Sequence, residues 1–214
     1  MPKRYNKATR AETRQWVRKF NPLFDKVSLD PDQTEILYCR LPFYPEGCIY
    51  ELKDHSFQPP AERRVLAGGD ETAVLDGTAE KILNVNAAAP LLLTLKNLPE
   101  YIRFYFQYVR FGAEPVQIVE TLDDISWLEE PQQGARDMVR KLVSPLRSLS
   151  APDSQGFYRI EGCLLSTGQG PHSACLYSAV FSVDAQGRVR PDPEQTEILV
   201  EDLAVIRHAS GSVT

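Results

Sequence analysis

Hydrophobic and polar positions alternate with a two-residue period near both ends of the chain and with a helical period through its middle. Glu35–Phe43 and Cys48–Lys53 are rich in Ile, Leu, Tyr and Phe and flank Tyr44-Pro45-Glu46-Gly47, a loop of hairpin length built from turn residues. Residues 55–71 are less regular, and Pro59-Pro60 with Gly68-Gly69 mark an expected exposed loop. Thr72–Leu75, the turn Asp76-Gly77 and Ile82–Val85 read as a second hairpin, and Leu91–Leu95 as a strand or the lead-in to a helix.

The strongest helical signal comes next along the chain. Asn97 and Glu100 form a capping pair with Pro99 in the first turn. The body runs from Tyr101 to Phe111, and Gly112 is expected to end it. Six of the chain's twenty aromatic residues lie in those eleven positions. Apolar side chains cover most of the circumference, leaving a polar stripe of Glu100, Arg103, Gln107 and Arg110; such a helix is buried on several sides.

Pro115–Glu120 reads as a short strand. Thr121 and Asp124 cap an expected helix carrying Ile125, Trp127 and Leu128, which Pro131 interrupts, and a further helix is expected from about Gln132 to Val143. Ser148–Gly156 reads as a linker. Phe157–Leu165 and Ala174–Val183 read as strands joined by Ser166–Ser173. Asp184-Ala185-Gln186-Gly187 is a tight turn into Arg188–Arg190, and Glu197–Ile206 supplies a last strand.

Because no strand–helix–strand unit of parallel type recurs, a Rossmann or barrel architecture is not expected. The expected fold is α+β: a curved antiparallel sheet built from N- and C-terminal strands, packed on the central aromatic-rich helix. Asp30-Pro31-Asp32-Gln33-Thr34-Glu35-Ile36-Leu37 reappears as Asp192-Pro193-Glu194-Gln195-Thr196-Glu197-Ile198-Leu199 with flanks that do not match. The repetition reads as a shared local device, an Asp-Pro turn leading into a strand, rather than a duplication.

Charge divides the chain. Residues 1–26 hold eight cations and two anions, a net +6; the rest hold 16 cations and 27 anions, a net −11, which together give the overall −5. The expected organisation is a basic helical arm, residues 1–26, before a single α+β domain, 27–214. Thr9 and Glu12 have capping-box spacing, and a helix over about 10–20 places Arg10, Arg14 and Arg18 in one row. An isolated helix of ~11 residues is marginal in water, so Trp16 and Phe20 need a surface to dock on. That surface is either the protein's own body or a partner.

Candidate chemistry is sparse. Cys163 and Cys175 are centred on Gln169 and would lie opposite each other in a symmetric hairpin, near enough for a disulfide or for half of a metal site. Four cysteines without close pairs and only three histidines do not suit zinc, so no metal and no cofactor are expected. Ser166–Ser173 is glycine-rich but lacks a P-loop's Lys-Ser/Thr ending. His172 lies near Ser166, Ser173 and Cys175 with no local acidic orienter, and Asp123, Asp124, Glu129 and Glu130 read as caps and a solvated face. The overall negative charge argues against a general nucleic-acid binder. No apolar stretch follows the basic first residues, so neither a secretory leader nor a membrane span is expected, and thiol usage suits the cytoplasm.

Three functions remain. The first is a non-enzymatic interaction or assembly protein, docking a protein partner or its own copy through Arg10, Arg14 and Arg18, with Trp16 as anchor. The second is an anionic-ligand or enzymatic site in a cavity between sheet and aromatic helix, lined by Arg103, Tyr105 and Arg110. The third is nucleic-acid binding through residues 1–26.

Overall fold

The computed structural model describes residues 5–111, 116–128, 133–150, 152–154, 156–167 and 172–206. The chain divides into two compact units, residues 1–92 and 93–212. Both are mixtures of helix and antiparallel strand, as the periodicity predicts. The N-terminal and C-terminal strands each complete a sheet of their own, because consecutive strands joined by short turns pair with their sequence neighbours.

The first unit is a meander. Strands β1 (Asn6–Lys7), β2 (Thr34–Arg40), β3 (Cys48–Asp54), β4 (Ala61–Gly68) and β5 (Glu71–Val74) lie in that order. Helix α1 (Arg10–Phe20) covers one face, where Val17 and Phe20 meet Ile36, Leu52 and Val65. Helix α2 (Ala79–Ala88) lies on the other face. Gly68, on the opposite side of the pleat from Val65, makes this approach possible: a Cβ there would fall 2.9 Å from Cγ1 of Val85. The Asp76-Gly77 turn is present, with Oδ1 of Asp76 accepting from both N–H and hydroxyl of Thr78. The turn leads into α2 and not into the expected strand, since Ile82 and Val85 stand one helical turn apart and are both buried. The expected loop over 55–71 shrinks to residues 55–60, and β4 pairs along its length with β3.

Leu91–Leu95 forms neither strand nor helix and carries the chain from the first unit into the second, whose first helix is α3 (Leu98–Tyr108). Asn97 stands at the N-cap, but its carboxamide oxygen accepts from Thr94 N–H and caps no helical amide. The helix stops at Tyr108; Gly112 lies outside the described residues. Strand β6 (Val116–Val119) leads to a 3₁₀ turn, Leu122–Asp124, in place of the expected helix. Helix α4 (Gln133–Leu142) and strands β7 (Arg147–Ser150), β8 (Tyr158–Ser166), β9 (Ser173–Val183) and β10 (Val189–Ala204) complete the unit. The sheet order is β10-β9-β8-β6, with β7 beside the first half of β8.

Side chains on the two faces of this sheet form separate cores. One, around Cys163, Leu165 and Leu176, receives Val139 of α4. The other receives α3, whose Phe106 ring lies 5.2 Å from that of Phe181. The expected linker over Ser148–Gly156 is β7 at its start, and Arg188–Arg190 and Glu197–Ile206 merge into the single long β10. Among the described residues no helix is long and apolar enough to cross a membrane.

Candidate functional site

Helix α1 forms where its caps predict. Thr9 Oγ1 accepts from Glu12 N–H at 3.3 Å, and Glu12 Oε2 accepts from Thr9 N–H at 2.8 Å. The Thr9 hydroxyl donates to the same carboxylate oxygen at 2.8 Å, and these two donors, the backbone N–H first and the hydroxyl second, hold the Glu12 carboxyl below the usual range. Thr13, Val17 and Phe20 are buried against the sheet. Trp16 is half-buried, its ring edge-on to Tyr38 and Tyr50 at 5.0 and 4.9 Å between centroids. The tryptophan's home is therefore the protein's own sheet.

The arginine row runs along the flank of that buried face. Four residues exceed the helical repeat of about 3.6, so the row drifts outward along the helix. Arg14 Nε and Nη2 donate to Asp32 Oδ1 at 3.0 and 2.8 Å, and Arg10 Nη2 donates to the same oxygen at 3.2 Å. The two guanidiniums, Arg14 before Arg10, hold the Asp32 carboxyl below its ordinary value. Arg18 has turned into solvent beside the exposed Lys19, and neither makes an ion pair among the described residues. Lys3 and Arg4 lie outside those residues.

Of the three residues expected to line an anionic-ligand site, Arg103 lines one of the two surface pockets described below, and Tyr105 and Arg110 line neither. Arg103 donates from Nε and Nη2 to the two oxygens of Glu120 at 2.5 and 2.7 Å. Tyr105 is buried, and Arg110 is exposed beyond the helix end. A surface pocket of about 320 Å³ touches Arg103 and Gln107, but its other polar walls are Gln117, Glu120 and Asp124; Tyr105 and Arg110 are not among them. The cation there is already neutralised. A second pocket of about 350 Å³ sets Arg136 and Arg140 opposite Glu120 and Asp123, again with balanced charge.

Glu120 also accepts from Leu146 N–H at 3.0 Å. The Arg103 guanidinium holds its carboxyl below the ordinary glutamate range. The stabilisation this gives is complete above the unfolded value of about 4.3 and is lost as pH falls through the depressed folded value. Glu120→Gln should therefore cost ~1–2 kcal/mol at neutral pH, between exposed and fully buried ion pairs. Its stability should converge with that of the wild type in acid. Urea unfolding at several pH values checks this; a gap independent of pH would refute the assignment.

The cysteines depart from the symmetric hairpin. β8 and β9 pair Cys163 with Ser178 and Ser166 with Cys175. The two cysteines stand three rungs apart on opposite faces, so they form neither a disulfide nor half of a metal site, and all four cysteines are thiols. Among the described residues no group of three or more His, Cys, Asp or Glu is placed to hold a metal ion. The Ser173 hydroxyl donates to Asp202 at 3.0 Å. The glycine-rich loop at 168–171 and the acids Glu129 and Glu130 lie outside the described residues. Asp124 is a cap, accepting from Glu120 and Thr121 N–H at 2.8 Å each.

Two carboxylates carry much of the local order and were not legible from spacing alone. Asp32 is the counter-ion of the arginine row, 18 and 22 residues away. Asp54 is fully buried and accepts from Asp30 N–H at 2.6 Å and Ser56 N–H at 2.8 Å. The only sequence signal for Asp32 is its place in an acidic turn that recurs.

No known protein family matches this chain, and neither the curated proteins nor the solved structures contain a match.

Proposed function

We propose that this is a non-enzymatic interaction or assembly protein of the cytoplasm that docks an acidic protein partner or its own copy through the outer side of α1. One observation carries the reading: Arg18 and Lys19 stand exposed, with no ion pair among the described residues, in the last turn of a helix fixed to its sheet by Phe20 and Trp16. A fixed helix presents its charges with little backbone ordering entropy left to lose on binding. Trp16 was expected to anchor the partner; with that ring against Tyr38 and Tyr50, charge is what α1 offers outward.

The test uses a fluorescently labelled poly-glutamate peptide and a labelled DNA duplex, titrated with protein at low and physiological salt. Binding of the peptide is expected, weakening with salt and lost in Arg18→Glu/Lys19→Glu. Duplex bound more tightly than the peptide would replace this reading with nucleic-acid binding through the arm. No binding of either would overturn it.

A further inference from the structure

We infer that the acidic outer edge of β10 is the surface on which α1 of a second copy docks, an inference that rests on the reading of α1 as a docking helix. β10 is the outermost strand of its sheet. Among the described residues its outer side is covered at the far end, where Trp127 bridges Val205, Leu128 N–H donates to Ala204 O, and Ile206 N–H donates to Ser126 O. Along the remainder the backbone is a poor template for another strand. Pro191 and Pro193 carry no N–H, and the register with β9 shifts three times. A neighbour on this edge must be held by side chains.

Those side chains are anionic. Val189–Ala204 contains five carboxylates and one cation, Arg190. Asp192 is engaged by Arg159 and Gln195, and Asp202 by Ser173. Glu194, Glu197 and Glu201 are exposed and make no ion pair among the described residues.

The molecule already shows what one such acidic turn receives. The repeated segments build the same turn: the N–H of the third residue donates to Oδ1 of the leading Asp at 2.8 Å in one and 3.1 Å in the other. The Thr hydroxyl donates to the carbonyl of that Asp at 2.6 and 2.7 Å. In the first turn the third residue is Asp32, and α1 lays Arg10 and Arg14 across it. In the second it is Glu194, which meets no cation among the described residues. Arg10 and Arg14 are taken up by Asp32, so Arg18 and Lys19 in the last turn of α1 are the cations left for Glu194 and Glu197. The charge division of the chain, +6 in residues 1–26 against −11 beyond, makes a second copy the complementary occupant. Helix and edge are different surfaces, so the contact is heterologous and extends into rings or open chains.

Solution mass by light scattering tests this at low and high ionic strength. The mass of the wild type is expected to rise with concentration at low salt and to return to the monomer at high salt. Arg18→Glu/Lys19→Glu and Glu194→Lys/Glu197→Lys should each abolish the rise, and the four substitutions combined should restore it. Circular dichroism confirms that each variant is folded. A wild type that stays monomeric at low salt overturns the inference; if poly-glutamate still binds, the docking role of α1 survives. An oligomer that persists in Glu194→Lys/Glu197→Lys but is lost in Arg18→Glu/Lys19→Glu overturns β10 as the target and leaves α1 standing. Loss of both peptide binding and assembly in the wild type sinks the two together.

Discussion

Tyr101→Ala should destabilise the C-terminal unit by ~3–5 kcal/mol, with a fall in Tm of ~10 °C or more. The ring is fully buried, and its hydroxyl donates to Gly187 O at 2.6 Å, tying α3 to the turn before β10. That turn is held from within by Asp184, whose Oδ1 accepts from Gln186 and Arg188 N–H, while Gly187 takes φ 78°. Losing the ring opens a cavity and removes the partner of a buried carbonyl. Tyr101→Phe separates the two effects and should cost only ~1 kcal/mol. Thermal or urea unfolding measures both. An alanine variant as stable as the phenylalanine variant would mean that the ring contributes no packing.

Phe20→Ala should be comparably severe in the N-terminal unit, at ~3–5 kcal/mol. Phe20 is 1% exposed in a cluster with Leu29, Ile36, Leu52 and Val65, and its ring lies 5.1 Å from that of Tyr50. Because α1 is too short to persist alone in water, losing this anchor should release the helix before the sheet. Hydrogen exchange is the direct readout: amides of Val17–Phe20 should lose protection while those of β3 keep theirs. Arg14→Ala, which removes a solvent-exposed contact to Asp32, should leave that protection in place. Exchange unchanged in Phe20→Ala would show that the helix is held by something other than its apolar face.

Elements whose signals are local were legible in the sequence. The Thr9–Glu12 box, the Tyr44–Gly47 hairpin loop, the aromatic helix and the Asp184–Gly187 turn each depend on residues within a few positions of one another. Where tertiary contacts compete, local reading failed. Thr121 and Asp124 do cap a turn, but the residues after it are drawn into extended pairing with Ala204–Ile206, so the expected helix ends after one turn. β4 was hidden by Pro59-Pro60 before it and by Arg63 and Arg64 within it; pairing with β3 makes it a strand all the same. The Cys163–Cys175 pairing failed because a hairpin need not be centred on the midpoint between two residues, and a register displaced by an odd number of residues sends their side chains to opposite faces. At the candidate site the arginine row was readable from its spacing. Its counter-ion was not, nor was Glu120 facing Arg103, because both pairs are made by chain reversal and not by periodicity.

β10 is sixteen residues long, and an uninterrupted edge of that length is the ordinary starting point for fibre growth. Its prolines, slips and like charges deny a zippering neighbour any continuous ladder. A neighbour held on this flank by the proposed charge pairs would come apart in salt, which is the difference between an assembly a cell can reverse and an amyloid deposit.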